Sequence, residues 1–552
     1  MLQTIAEDEG SGPRAADKGR CGMSTSEKAK DQASPVQIVA GVDIGSNAIR
    51  MVVAEVLADG NIEALEKLQK GIRLGQDTFR RGRLGGETMR AAVAILKDYR
   101  RILDAYQVQH LRAVATSAVR EANNSDTFVD RVLMATGFEV EVIDTAEESR
   151  LTVAGVRRHL SSEIAAKRGL TLVAHVGGGS TLLTVMHQAE IVDSQSLPLG
   201  SVRLREGLLT GGESAERVTA ILRQQVGNVL AGTQSGLPLD RIETFIAIGG
   251  DARFVARQAG KPVSTDGMFT VARGPFDKLV RECERHTTEE LTTMFGLAFP
   301  DAETLNPALL VYQALLNATQ VRQFFISQVS MRDGLLLDLA SRVTGREDEA
   351  LTKGVIRSAL AVARKYRADR RHAQTVADLA TKLFDELQPE HRLAPRQRLL
   401  LRVAALLHEV GGFVSNRSHH KHSYYLIANA EIFGLSREEH ELVAHIARYH
   451  RRATPQHSHP EYMMLPRDRR ILVSKLSALL RVADALDRGR GQEVRDFRCE
   501  RQEEGFVVLI PGLTDLALER QGMTQKGDLF EDVFGMKIRL EEERSPVAAA
   551  AG

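Results

Sequence analysis

Cysteine is scarce: Cys21, Cys283 and Cys499 are the three in 552 residues, far apart and with no CxxC pair. That argues against a disulfide scaffold or a cysteine-built zinc site and points to a reducing compartment. An excess of one charge is also missing. Lys and Arg number 73 against 72 Asp and Glu, a formal net charge of +1. A protein that grips nucleic acid or membrane by bulk charge is not expected from such a balance. No apolar run approaches the ~18 residues of a membrane span, and no apolar stretch near the N-terminus suits a secretory signal. At ~150 residues per domain the length suggests two to four domains, and the composition is that of an ordinary globular chain. The expectation is a cytoplasmic, multidomain protein.

Residues 1–36 are charged and rich in Ser, Gly and Ala, without apolar periodicity, and read as a disordered tail. Order is expected to begin at QIVAGVDIGSNAIRMVVAEV, where two β-branched runs flank a tight turn. A helix-spaced stretch, ETMRAAVAILKDYRRILDAY, follows, then a strand at LRAVATS, a helix at SDTFVDRVLMATG, a strand at FEVEVID and a helix opening at AEESRL. Near residue 170 the pattern restarts: LTLVAHVGGGSTLLTVMH is again strand, Gly-rich turn, strand. We read this as a weak internal repeat of two α/β lobes. FIAIGGDARFVARQ adds a strand, a Gly pair and a helix. Past residue 345 the polar SRVTGREDEALTKG leads into HAQTVADLATKLFDEL, RQRLLLRVAALLHEVG, REEHELVAHIARYH and VSKLSALLRVADALDR, all helical, before strand-like FVVLIP and KIRLEEE. The expected divisions are 37–168, 169–345 and 346–545.

The turns Asp43-Ile-Gly-Ser-Asn47 and Gly177-Gly-Gly-Ser-Thr181 carry the chemistry. Glycine lets backbone N–H groups converge on an anion, and the hydroxyls add donors. Asp43 is suited to a metal-bound water opposite such an anion. Each turn alone is an ordinary hairpin; two in series, with Gly249–Gly250 as a third, favour a cleft that grips phosphate.

The ordered set VDIGSNAIRMVV, ATSAVREANN, AEESRL, VGGGSTLL, LPLGSVRLRE and IAIGGDARF resembles the exopolyphosphatase / guanosine pentaphosphate phosphohydrolase (Ppx/GppA) family, and HEVG and HHKHSYYL extend the match. The resemblance implies an α/β fold of two ribonuclease H-like lobes, of the actin/hexokinase-type ATPase superfamily, with a mostly α-helical HD-like C-terminal domain. It implies removal of the terminal phosphate from polyphosphate or guanosine pentaphosphate, with Mg²⁺ (or Mn²⁺), in a homodimer, with neither membrane nor nucleic acid as partner. Glu148 falls on the family's catalytic glutamate, which positions water. Gly177, Gly178, Gly179, Ser180 and Thr181 would bind the terminal phosphate, faced by Ser46 and Asn47. Arg50, Arg120 and Arg203 would neutralise its charge, and Asp43 would serve the metal.

Departures are as informative. The family carries acidic residues just before and just after the GGGST loop; this chain has His175 and Leu182, poor ligands for magnesium. Asp251 stands where Thr is usual, and Ala48 replaces a Ser. A catalytically impaired sensor of polyphosphate or an alarmone is therefore the alternative. The helical part resembles an HD-type phosphohydrolase, which implies metal ligands at His372, His408, Glu409 and Asp484, with His420, His422 and His450 as further candidates. Glu409 replaces an Asp and moves its carboxylate by ~1 Å. The basic runs KYRADRR, RYHRR and RDRR would line a channel for a polyanion, or form solvated faces.

Overall fold

The computed structural model describes residues 37–543 except 160–168, 189, 208–214, 234–236, 264–266, 345–348, 431, 452, 504 and 513–514. The expected tail, part of the expected linker and Arg452 of the RYHRR run lie outside the described residues.

The first sheet contains β1 (Gln37–Ile44), β2 (Ala48–Val56), β3 (Ile62–Gly71), β4 (His110–Ala115) and β5 (Val140–Val142), in the order β3-β2-β1-β4-β5. β1–β2 and β2–β3 are antiparallel, while β1–β4 and β4–β5 are parallel. β1 and β2 are apolar almost throughout because both faces are covered. Val42, Ile44 and Met51 meet one set of helices, and Val39, Val52 and Ala54 meet another.

The second sheet contains β6 (Leu170–Val176), β7 (Thr181–His187), β8 (Glu190–Leu197), β9 (Ile242–Ile248), β10 (Lys261–Pro262), β11 (Met268–Ala272) and β12 (Gln323–Ser327), in the order β10-β11-β12-β9-β6-β7-β8. Its run β8-β7-β6-β9-β12 repeats β3-β2-β1-β4-β5 strand for strand, antiparallel and parallel pairs included. The repeat read from the two hairpins is thus a duplication of topology.

Two helices cross between the sheets. Thr145–Arg158 sets Val153 and Val156 against Val173 and Met186 of the second sheet. Met331–Thr344 sets Leu336, Leu339 and Ala340 against Val39, Val52 and Ala54 of the first. The latter helix, although within the segment expected to form the second lobe, packs on the first. The two backbones approach so closely that a Cβ on Gly334 would lie 1.8 Å from the Leu151 carbonyl oxygen, so only glycine fits there. A buried network fixes the crossing: Arg112 from β4 and Arg150 both bond Glu147 and Asp338.

Helices Arg370–Glu386, Pro395–Leu407, His419–Ala428, Arg437–Arg448 and Arg467–Leu486 surround a separate apolar core. Onto that core folds a small sheet of β13 (Arg498–Gln502), β14 (Gly505–Pro511) and β15 (Lys537–Glu543), through Phe506, Val508 and Ile538. Among the described residues no helix is long and apolar enough to cross a membrane.

Candidate active site

The two Gly-rich turns open on one cavity of about 330 Å³, which Gly249–Gly250 and the first turns of several helices also line. The local backbone explains how the turns present donors. The carbonyls of Gly177, Gly178 and Gly179 accept from Ser201 N, from Val202 N and Arg203 N, and from Arg203 Nε, at 2.7–3.0 Å. Those carbonyls therefore face the Ser201–Glu206 helix. In a planar peptide the N–H opposes its C=O, so the N–H groups of Gly178, Gly179 and Ser180 are turned to the other side. Among the described residues they donate to no protein acceptor. The first turn repeats the device: Ser46 O accepts from Gly75 N and Asn47 O from Ile72 N. The two turns also touch. Ser46 Oγ lies 3.1 Å from Ser117 Oγ, and a Cβ on Gly178 would fall 2.8 Å from Ser46 Cβ.

Glu148 lies in the first turn of the Thr145–Arg158 helix, buried, and lines the same cavity. Asp144 caps that helix, accepting from Glu147 N at 2.8 Å. Burial raises the Glu148 pKa above its ordinary 4.5; Arg120, with Nη1 3.4 Å from Oε2, opposes the rise, and the nearby Asp43 charge adds to it. Asp43 is itself pushed up by burial, against the pull of Arg50 at 3.4 Å and of Arg332.

Three cations that the sequence reading passed over also line the cavity: Arg253, Arg257 and Arg332. Arg253 and Arg332 form no ion pair among the described residues, and Arg332 Nε is buried without a partner. Loss of solvent and repulsion from Arg50 hold both guanidiniums below their usual pKa. Arg253 could have been found, since it stands two residues beyond Asp251 in IGGDARF. Arg332, in VSMRDG, follows no Gly-rich turn and carries no local signal.

The two departures from the family pattern fall on one cross-strand pair. His175 of β6 faces Leu182 of β7, as Asp43 of β1 faces Arg50 of β2 in the duplicated hairpin. One lobe thus contributes a carboxylate and a guanidinium where the other contributes an imidazole and an isobutyl group. The His175 pKa is lowered to about 4 by burial and by Arg253 and Arg50, so the ring is neutral at pH 7. Asp251 is raised to about 7 by burial and by Asp301, against Arg253. Among the described residues, no three cleft carboxylates or imidazoles are close enough to cage a metal ion.

Other expected phosphate ligands are placed differently. Thr181 Oγ1 donates to Leu199 O at 2.7 Å and does not line the cavity. Arg203, expected on the phosphate, lies over the Phe79 ring and bonds Gly179 O and Glu121, bracing the loop from behind. Arg120 touches Glu148 and the Ile143 carbonyl instead of the cavity. Asn47 lines the cavity, but its Nδ2 donates to Pro300 O at 3.2 Å.

In the helical part, His372, His408 and Glu409 bring potential ligand atoms within 4.8 Å of one another, as do His408, His450 and Asp484. His372 Nδ1 bonds Asp487 Oδ2 at 2.7 Å, and His408 and His450 each donate Nδ1–H to a carbonyl at 2.6 Å. Those bonds set the tautomer and aim Nε2 into the cluster; His450 Nε2 lies 3.1 Å from His419 Nε2. The Nε2 atoms of His372 and His408 are buried without a hydrogen-bond partner, 3.4 and 4.0 Å from Asp484 Oδ1. Asp484 is also held by Lys526, and Glu409 by Arg490. Burial would pull the His372 pKa down, but Asp484 and Asp487 outweigh it and raise it to about 9. His420 and His422 lie outside both groupings.

Comparison with known proteins agrees with this architecture. Residues 52–343 match the Ppx/GppA phosphatase family, and residues 356–511 match Ppx/GppA phosphatase, domain III. A guanosine-5'-triphosphate,3'-diphosphate pyrophosphatase of Vibrio vulnificus is 26% identical over 76% of this chain and 82% of its own. One of Aeromonas hydrophila is 25% identical over 86% of this chain and 92% of its own. The crystal structure of an exopolyphosphatase from Cytophaga hutchinsonii shares the fold, with a TM-score of 0.51 at 22% identity over 55% of this chain and 98% of that one. With a duplicated α/β core, a cleft between Gly-rich turns and a family match across more than half its length, the chain belongs to the Ppx/GppA phosphatase family.

Proposed function

We propose that the cleft hydrolyses the terminal phosphoanhydride of inorganic polyphosphate, or of guanosine pentaphosphate, and releases orthophosphate. The observation that carries this reading is the company Glu148 keeps. A buried carboxylate with a raised pKa shares one cavity with unengaged loop amides and two guanidiniums that lack ion-pair partners. Glu148 orients a water for in-line attack on the terminal phosphorus and takes its proton. The bond to the bridging oxygen breaks, and the shortened chain leaves with that oxygen. The amides of Gly178, Gly179 and Ser180, with Arg50, Arg253 and Arg332, hold the charge that gathers on the phosphoryl oxygens. Mg²⁺ is commonly held by one or two carboxylates together with substrate phosphates. Asp43 suits that role, and the ion would neutralise charge on those oxygens.

The pH profile tests the assignment. A base must be ionised, so the rate falls as pH drops through the Glu148 pKa, with a midpoint above the ordinary 4.5. Arg120 lowers that pKa, so Arg120→Gln is expected to move the rising limb of kcat to higher pH. An unmoved limb, in a variant that still turns over, would assign the base elsewhere.

A second reading concerns the helical cluster, which the orphaned Nε2 atoms of His372 and His408 favour as a metal centre. The ligands would be His372, His408 and Asp484, with His450 or Glu409 beside them. Imidazole with carboxylate suits a transition ion better than magnesium. Wild-type protein dialysed against Mn²⁺ or Zn²⁺ is expected to retain about one equivalent by elemental analysis, and His408→Ala none. A wild-type protein that retains no metal would overturn this reading and leave Lys526 and Arg490 to balance Asp484 and Glu409.

A further inference from the structure

The helical part reaches the candidate base through a short segment, residues 432–437. Phe433 is buried among Val153, Val156, Val173 and Met186, against the Thr145–Arg158 helix and the second sheet. Its backbone is held in place: Phe433 N donates to Ser358 Oγ at 3.0 Å, and Gly434 O accepts from Arg396 at 2.7 Å. Three residues on, Ser436 opens the Arg437–Arg448 helix with a reciprocal capping box to Glu439. The first amide of that helix, Arg437 N–H, has no partner within its own helix; it donates to Asp144 Oδ2.

Asp144 therefore caps two helices at once. Oδ1 accepts from Glu147 N at 2.8 Å, Oδ2 accepts from Arg437 N, and its carbonyl accepts from Glu148 N at 3.0 Å. On its other side the same turn is anchored by Glu147, bonded to Arg112 and Arg150. Glu148 follows directly on these two anchors, Asp144 tied to the helical part and Glu147 tied within the lobes. The positive end of the Arg437–Arg448 helix also favours the Asp144 carboxylate.

We propose that segment 432–437 is a positioning latch: through Arg437 N–H and Asp144 it holds the first turn of the Thr145–Arg158 helix where Glu148 can meet its water. The proposal rests on the reading of Glu148 as the base. Neither Asp144 nor Arg437 is a catalytic residue here. Loss of the bond would lower kcat and leave substrate binding, which the Gly loops and arginines supply, unchanged.

One substitution isolates the bond. Arg437 is the first helical residue, where proline is well tolerated. The preceding Ser436 already has the extended backbone, φ −71° and ψ 164°, that a following proline requires. Arg437→Pro thus deletes the N–H and keeps the helix, while Arg437→Ala removes the exposed side chain and keeps the N–H. Orthophosphate release from polyphosphate is expected to fall roughly tenfold in kcat for Arg437→Pro, with KM and Tm close to wild type, and to be unaffected in Arg437→Ala. Equal kcat in the two variants would overturn the latch. Should Arg437→Pro fail to fold, Asp144→Ser, which still caps but is too short to reach Arg437, is expected to show the same kcat loss; wild-type kcat in it would overturn the latch. If the wild type itself has no turnover, the functional reading fails, and hydrogen exchange at residues 145–150 decides the latch separately. Faster exchange there in Arg437→Pro than in Arg437→Ala supports it, and equal exchange overturns it.

Discussion

Glu148→Gln is expected to cut orthophosphate release by about 10³-fold or more while polyphosphate affinity stays within about threefold. Gln keeps the shape and fills the same buried space but cannot accept the water's proton. The groups proposed to hold the phosphates are elsewhere: the amides after Gly177 and the guanidiniums of Arg50, Arg253 and Arg332. The stability of this variant gives an independent check. Burial raises the Glu148 pKa, so the folded protein disfavours the ionised form at neutral pH. Any stability linked to Glu148 is present when it is protonated and is lost as pH rises through its folded pKa. A neutral Gln removes that penalty, and Tm at pH 7 is expected to hold or rise. A variant that lost activity together with several degrees of Tm would point to misfolding and not to a missing base.

The second large effect is a gain. Restoring acidic side chains with His175→Asp and Leu182→Glu is expected to raise kcat in Mg²⁺ by tenfold or more, and to steepen its dependence on Mg²⁺ concentration. The two positions are direct cross-strand partners, so both carboxylates would emerge on one face, where His175 already lines the cavity. His175 in the wild type is neutral and can offer only one nitrogen to a metal that prefers oxygen. Leu182 is 3% exposed, so Leu182→Glu alone buries an unpaired charge and is expected to lower stability by roughly 3 kcal/mol without metal. Magnesium should return part of that loss in the double variant, which thermal melts with and without the ion would reveal. A double variant that binds Mg²⁺ yet gains no rate would mean that the guanidiniums already meet the charge demand of the native site.

How much of this was legible in the chain varies with where the signal lies. The two hairpins and their turns were plain, because β-branched runs broken by Gly-Ser-Asn or Gly-Gly-Gly-Ser leave few alternatives. KIRLEEE and FVVLIP are strands over the stretches expected. β3 was not anticipated, since IEALEKLQKG is a mostly exposed edge strand whose charged residues mask any alternation. Nor was the Phe299–Ala318 helix, which is buried on nearly every side and therefore has no polar stripe to give it a period. At the site, residues next to glycines could be assembled from the sequence. Arg332 and the Asp144–Arg437 bond could not, because they depend on how the crossing helices and the helical part are packed. Arg203 shows the converse: its motif matches, yet its guanidinium is engaged behind the loop.

The most direct test of the central claim is orthophosphate release from long-chain polyphosphate and from guanosine pentaphosphate with Mg²⁺ or Mn²⁺, comparing wild type with Glu148→Ala and measuring binding in parallel. The account predicts turnover of at least one substrate by the wild type, abolished in Glu148→Ala with binding retained. No turnover by either protein, with tight binding by both, would contradict it and make the cleft a phosphate sensor built on a hydrolase fold.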